Sequence, residues 1–149
     1  MKIRIVFVAA AVLVAGATLA SAATKDDAVA MVKNAVAVIK AQGPEKAYAE
    51  INEPGSKFQS GELYIVVSDF NGVTVAHANN PKLIGKNMME TQDVDGKYFS
   101  KDMTALAQKH ASFWYDYKFV NPVTKKIQVK DNYCEVLGAS RVCAGVYRP

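Results

Sequence analysis

Residues Leu63 to Asn87, LYIVVSDFNGVTVAHANNPKLIGKN, restrict the fold more than any other stretch of the chain. An apolar run ends in Asp69, and Asn71-Gly72 turns the chain. A second alternating run then delivers His77 into a polar loop that carries Pro81 and Gly85. Asn-Gly between two β-rich runs is a strong hairpin signal, because a type I′ turn needs φ > 0 at both central positions. Strands are predicted over Leu63–Asp69 and Val73–Ala78. The loop from His77 to Asn87 is rich in side-chain donors, so the hairpin can wall a small-molecule pocket. It matches no catalytic arrangement.

The N-terminus reads as a secretory signal. Lys2 and Arg4 precede an uncharged, mostly apolar run, Ile5 to Leu19, and Ala20-Ser21-Ala22 supplies small residues for cleavage. The run is short for a stable membrane span. Cleavage after Ala22 divides the chain into a signal peptide, 1–22, and one domain, 23–149. Removing Lys2 and Arg4 brings the formal charge from +4 to +2. That excess is too small, and the Lys/Arg residues too scattered, to indicate a nucleic-acid partner. The remaining length is enough for a single core, and no later segment has the ~18 consecutive apolar residues of a membrane helix. A periplasmic or secreted, stand-alone domain is expected.

Two cysteines fit that compartment. Cys134 and Cys143 flank EVLGASRV, which reads as a hairpin around Gly138-Ala139. Pairing Leu137 with Ser140 sets a register in which paired numbers sum to 277, so the cysteines face each other. As a non-hydrogen-bonded pair their Cα atoms would lie ~4.5 Å apart, within reach of a disulfide. A metal site would need more ligands than two cysteines and two histidines far apart in sequence offer.

Thr24 and Asp27 resemble a capping box, and Val29, Val32, Val36 and Ile39 recur at helical spacing until Gly43-Pro44. A short second helix holding Ala47, Tyr48 and Ile51 follows, then a loop at Glu53–Ser56. Phe99, Met103, Leu106, Ala107 and His110 fit one face of a third helix. From Ser112 the period becomes two, with Phe113, Tyr115, Tyr117 and Phe119 pointing one way. Strands around Ile127–Leu137 and Arg141–Arg148 complete a meander. The expected class is α+β, a five-stranded antiparallel sheet with a long N-terminal helix and further helices packed on it.

With these elements placed, the hairpin string, DVDGK at Asp93–Lys97, WYDYKFVNPVTKK at Trp114–Lys126 and the closing CAGVYRP resemble the single-Cache extracellular sensor domains. These are PAS-like folds that usually sit between two membrane helices of bacterial chemoreceptors and histidine kinases. The resemblance spans roughly Asp26 to Tyr147. It implies a small-ligand pocket on one face of the sheet, with short organic acids among the ligands. The cleavable signal replaces the family's anchoring first helix, and His77-Ala78 stands where the family has His-Pro.

His77 could donate from a neutral imidazole to a bound carboxylate. Tyr117 and Phe119 match the family's pocket aromatics and also read as plain core. Lys130 matches a family lysine that precedes a tyrosine, here Tyr133, and would pair with an acid ligand. By the 277 register Lys130 shares a face with Cys134 and Gly145, while Tyr133 points to the other. Thr91–Gly96 with Asp102 has a faint calcium-loop spacing, better read as an Asp-Gly turn. Asp69 reads as turn chemistry and His110 as a core or cap residue.

Hydrolase, metalloprotease and haem-attachment signatures are absent from the sequence, so no enzyme, cofactor or metal is expected. The function expected is a small-molecule binding and sensing module, for a small organic acid, acting without turnover. A membrane chemoreceptor or sensor kinase and a homodimer are the candidate partners. The alternative is an interaction protein that docks on such a sensor or self-assembles, its pocket vestigial.

Overall fold

The computed structural model describes residues 22–149. The expected signal peptide, apart from Ala22, lies outside the described residues. Among these, no helix is long and apolar enough to cross a membrane.

Helix α1 (Lys25–Gln42) opens with the capping box in full: the Asp27 amide donates to Thr24 Oγ1, and the Thr24 amide donates to the Asp27 carboxylate at 2.8 Å. Two orphan donors of the first turn are thereby satisfied. Its buried stripe is Ala28, Val32, Ala35, Val36 and Ile39. The alanines let the backbone approach the sheet, and Val29 is left half-buried. Gly43, at φ 83°, ends α1, and α2 (Pro44–Asn52) starts on the proline and buries Ala47 and Ile51.

A two-stranded ribbon, β1 (Gln59–Ser60) with β2 (Leu63–Tyr64), leads into β3 (Val66–Asp69) and β4 (Thr74–His77). A 3-10 turn at Pro81–Leu83 and α3 (Phe99–Ala107) precede the long strands β5 (Ser112–Val120), β6 (Ile127–Leu137) and β7 (Ser140–Tyr147). The expected run Leu63–Asp69 is divided at Ile65, whose amide donates to Phe58 in the ribbon. The main sheet is antiparallel, in the order β4-β3-β7-β6-β5. The last strand is therefore central, because β3 returns to pair with it, Ser68 opposite Arg141.

The β3–β4 turn differs from the expected type I′. Gly72 has φ 84° and Asn71 does not share the left-handed region. The Gly72 amide closes a four-residue turn on the Asp69 carbonyl at 3.1 Å, and Asp69 Oδ1 accepts from the Val73 amide at 2.9 Å. This is the pattern of a type I turn followed by a glycine bulge.

The sheet has two differently covered faces. Val142, Ala144 and Val146 of β7 pack with the α1 stripe in the larger core. Alternate residues Arg141, Cys143 and Tyr147 point the other way, and Cys134 and Cys143 pack there with Phe99, Met103 and Ala107 of α3. Val32, Ile51, Ile65, Val67 and Val142 are fully buried, each contributing about 1.5–3 kcal/mol. His110 lies beyond the end of α3 and is exposed, contrary to the expected helix face.

Asp131 of β6 gathers the two ends of the domain. It accepts two hydrogen bonds from the Arg148 guanidinium and lies 3.4 Å from Lys25 Nζ. Both sheet edges are covered in part. Beside β4, the Thr74 amide donates to Lys86 and the Gly85 amide to Thr74. Beside β5, Asp93 accepts from the Lys118 amide and Lys97 Nζ donates to the Asp116 carbonyl, each at 2.9 Å. Asp93 also takes the amides of Asp95 and Lys97 at 2.9 Å, which is Asp-Gly turn chemistry.

Candidate functional site

A cavity lies between the second face of the sheet and α3. Its volume is about 50 Å³. Arg141 from β7, Ser100 from α3, His77 from β4 and Tyr64 from β2 line it, with Met103, Phe99 and Cys143 supplying apolar and sulfur surface. Tyr117 and Phe119 of β5 line it too, and both pack on Phe99, at 4.6 and 6.0 Å between ring centres. They are lining and core at once.

Arg141 is the feature on which the site turns. The side chain is 3% exposed, and its Nη2 donates to Ser100 Oγ at 2.7 Å. Its Nη1 is buried with no hydrogen-bond partner among the described residues. Burial pushes the guanidinium down to about 10, with Tyr117 and Asp69 drawing it back up, so it is charged at neutral pH. A buried cation with a free donor fits an anionic group of the ligand, since a planar fork matches a carboxylate.

His77 is held neutral. Its Nδ1 accepts from the Asn80 amide at 2.9 Å and the Asn79 amide at 3.3 Å, which leaves the ring proton on Nε2 as a donor. The ring stacks on Tyr64 at 5.2 Å. Burial, and then Lys130, bring the imidazole down to about 4. It does not titrate near 6.5 as an open loop histidine would.

Lys130 is not on the cavity wall. It is 1% exposed and sits behind Tyr64, its Nζ 3.9 Å from the ring centre. The register is the expected one, Lys130 opposite Tyr147 and Tyr117. The structure therefore brings His77, Tyr117 and Phe119 together on one cavity and sets Lys130 one ring away. A larger, open hollow of about 260 Å³ adjoins, with Asn79, Asn80 and Lys125 at its rim. It shares Tyr64, His77, Leu83 and Phe119 with the inner chamber, so these four side chains separate the two.

Cys134 and Cys143 are bonded across β6 and β7 with Cα atoms 4.2 Å apart. The bond lies in the chamber floor two residues from Arg141. Among the described residues no cluster of His, Cys, Asp or Glu could hold a metal ion.

Arg141, Ser100, Asn132 and Tyr64 were missed from sequence. For Arg141 a signal existed: the 277 register sets it opposite Val136, on the face of Cys143 and Lys130. An arginine on the inward face of a strand needs a partner or a ligand.

A five-stranded antiparallel sheet flanked by helices is a PAS-like architecture. The chain belongs to the single Cache family: residues 15–138 match Single Cache domain 2. Solved structures agree on the fold. A methyl-accepting chemotaxis protein from Vibrio parahaemolyticus RIMD 2210633 superposes with a TM-score of 0.70 at 20% identity, over 83% of this chain and 87% of that one. A Cache chemosensory domain solved for the structural basis of its carboxylic acid recognition gives 0.65 at 22%, over 83% and 88%. The periplasmic sensor domain of a chemotaxis protein gives 0.61 at 20%, over 83% and 90%. No curated protein matches the sequence.

Proposed function

We propose that this chain is a periplasmic sensing module that binds a small carboxylate and acts without turnover. The observation that carries this reading is Arg141, buried, charged and with Nη1 unpartnered among the described residues, in a chamber of about 50 Å³. The carboxylate accepts from Nη1, and the neutral His77 donates from Nε2. Phe99, Met103, Tyr117 and Phe119 enclose a short carbon chain. The small volume favours short acids. A relative that recognises carboxylic acids on the same fold supports the ligand class. A chemotaxis receptor with the same fold supports a membrane chemoreceptor or sensor kinase as the signalling partner. The signal peptide, 1–22, would deliver the domain 23–149 to the periplasm.

A thermal-shift panel of acetate, propionate, lactate, pyruvate and larger acids tests the reading. A site filled a hundredfold above Kd stabilises the fold by ~2.7 kcal/mol. The short acids should raise the melting temperature of the wild type and not of Arg141→Gln. No shift with any acid would overturn the assignment and favour the interaction protein.

A further inference from the structure

Behind the chamber wall lies a charge whose surroundings leave it nearly alone. Lys130 on β6 runs its stem across Gly145 of β7, where a Cβ would come within 2.7 Å of Lys130 Cε. Its Nζ ends over the Tyr64 ring, with the Tyr147 ring 5.5 Å away. Among the described residues it makes no hydrogen bond and no ion pair. Its surroundings present Glu62 and Tyr64 from the ribbon, Tyr147 from β7, Tyr117 from β5 and His77 from β4. Glu62 is the acid that favours the charge, and one of its oxygens is occupied by Asn121 at 2.8 Å. A buried amine without an acceptor favours its neutral form, and burial brings Lys130 down to about 7.

The other titratable groups of this face do not change charge there. Tyr64, Tyr117 and Tyr147 are pushed up by burial, His77 is brought down to about 4, and Arg141 holds its proton to about 10. Tyr64 separates the amine from the chamber, and Tyr117, the cross-strand partner of Lys130, lines it as well. An anion one aromatic ring away, roughly 8 Å from the amine, would couple to its charge by about thirtyfold in affinity at an effective dielectric near 20.

We propose that an anion entering the inner chamber brings a proton with it, taken from solvent onto Nζ of Lys130, so that occupancy reports acidity together with the acid. The inference rests on the carboxylate reading of the chamber. The amine becomes an ammonium as the carboxylate arrives, and the pair leaves the net charge of the site unchanged. Arg141 fixes the anion, and Lys130 sets the pH range over which it stays.

Calorimetric titration with acetate, propionate, lactate and pyruvate, in Tris and in HEPES, counts the protons exchanged. At pH 8 each acid that binds should take up roughly 0.5–1 proton, falling to about zero at pH 5.5. Affinity should drop about tenfold between pH 6.5 and 8.5. In Lys130→Met the uptake and the pH dependence should both disappear, with circular dichroism checking the fold. Should that variant not fold, the NMR titration of the wild-type lysine Cε signals, with and without acid, decides the same point. An acid that binds at pH 8 without proton uptake would overturn the proposal and leave the chamber reading standing. Failure of every acid to bind at any pH would overturn both.

Discussion

The guanidinium of Arg141 reaches from the central strand to the hydroxyl of Ser100, at 2.7 Å, and so ties the sheet to the first turn of α3. One hydrogen bond thereby orients the fork whose other end, Nη1, is unpartnered among the described residues. Arg141→Gln should weaken binding of the best short acid by about 2–5 kcal/mol, the range for truncating one partner of a buried charge pair. Ser100→Ala should cost about 0.5–1.5 kcal/mol, because it removes an orienting bond and leaves the charge. Isothermal titration of both variants checks the order. Equal losses, or none in Arg141→Gln, would place the anion elsewhere.

His77 gives the domain an acid-sensitive limb. Its folded imidazole lies at about 4, below the ordinary 6.5. Between those values the unfolded chain binds more protons, so stability falls as pH drops from 6.5 through 4. Replacement by Asn should flatten that limb in urea titrations run at several pH values. A wild-type slope equal to that of His77→Asn would show that another group governs it. Acid affinity should show no step near pH 6.5 from this residue.

The disulfide closes a short loop and should contribute ~2–3 kcal/mol. The intact-protein mass of oxidised material should lie two hydrogens below that of the reduced chain. Cys134→Ala with Cys143→Ala should lower the unfolding free energy by that amount. It should also weaken acid binding, because Cys143 lines the chamber. A double variant that loses neither would reduce the bond to an incidental contact.

Gly145 is small because β6 and β7 leave no room there. A Cβ would sit 2.7 Å from Asn132 Oδ1 and Lys130 Cε and 2.8 Å from the Asp131 carbonyl oxygen. The side chains can yield, but the backbone oxygen yields less. Gly145→Ala should cost about 1–3 kcal/mol, the range for overpacking a core. Denaturant unfolding measures it, and no loss would mean that the strands separate more easily than their packing indicates.

Much of the fold follows from local pattern. The capping box, the α1 stripe and the Gly43-Pro44 stop are visible in sequence, as are the alternation along β5 and the cysteine register. What local pattern does not contain is the pairing of β3 with β7, a contact between segments more than seventy residues apart. Without it, the register gives the face of Arg141, while the central place of its strand stays hidden. The glycine-bulge turn at Gly72 was hidden for a different reason: the Asp69 side chain takes the Val73 amide and selects the geometry. His110 failed because the chain joins the sheet early, with the Val136 amide donating to the Ala111 carbonyl. His77 from β4 and Tyr117 and Phe119 from β5 line one cavity. Lys130 shares their face, yet its stem follows the gap over Gly145 and passes behind Tyr64.

The covered edges of the sheet limit how this domain can speak to anything else. Loop 85–87 bonds along β4, and the Asp93 turn occupies the middle of β5. A neighbour cannot easily lengthen such a sheet by adding a strand, which is the usual hazard of exposed edges. The buried stripe of α1 and the shared knot of Lys25, Asp131 and Arg148 join the helix and Arg148 to the sheet. Asp131 is the residue next to Lys130, so the strand that carries the buried amine also carries the carboxylate that links Lys25 at the start of α1 to Arg148 after β7.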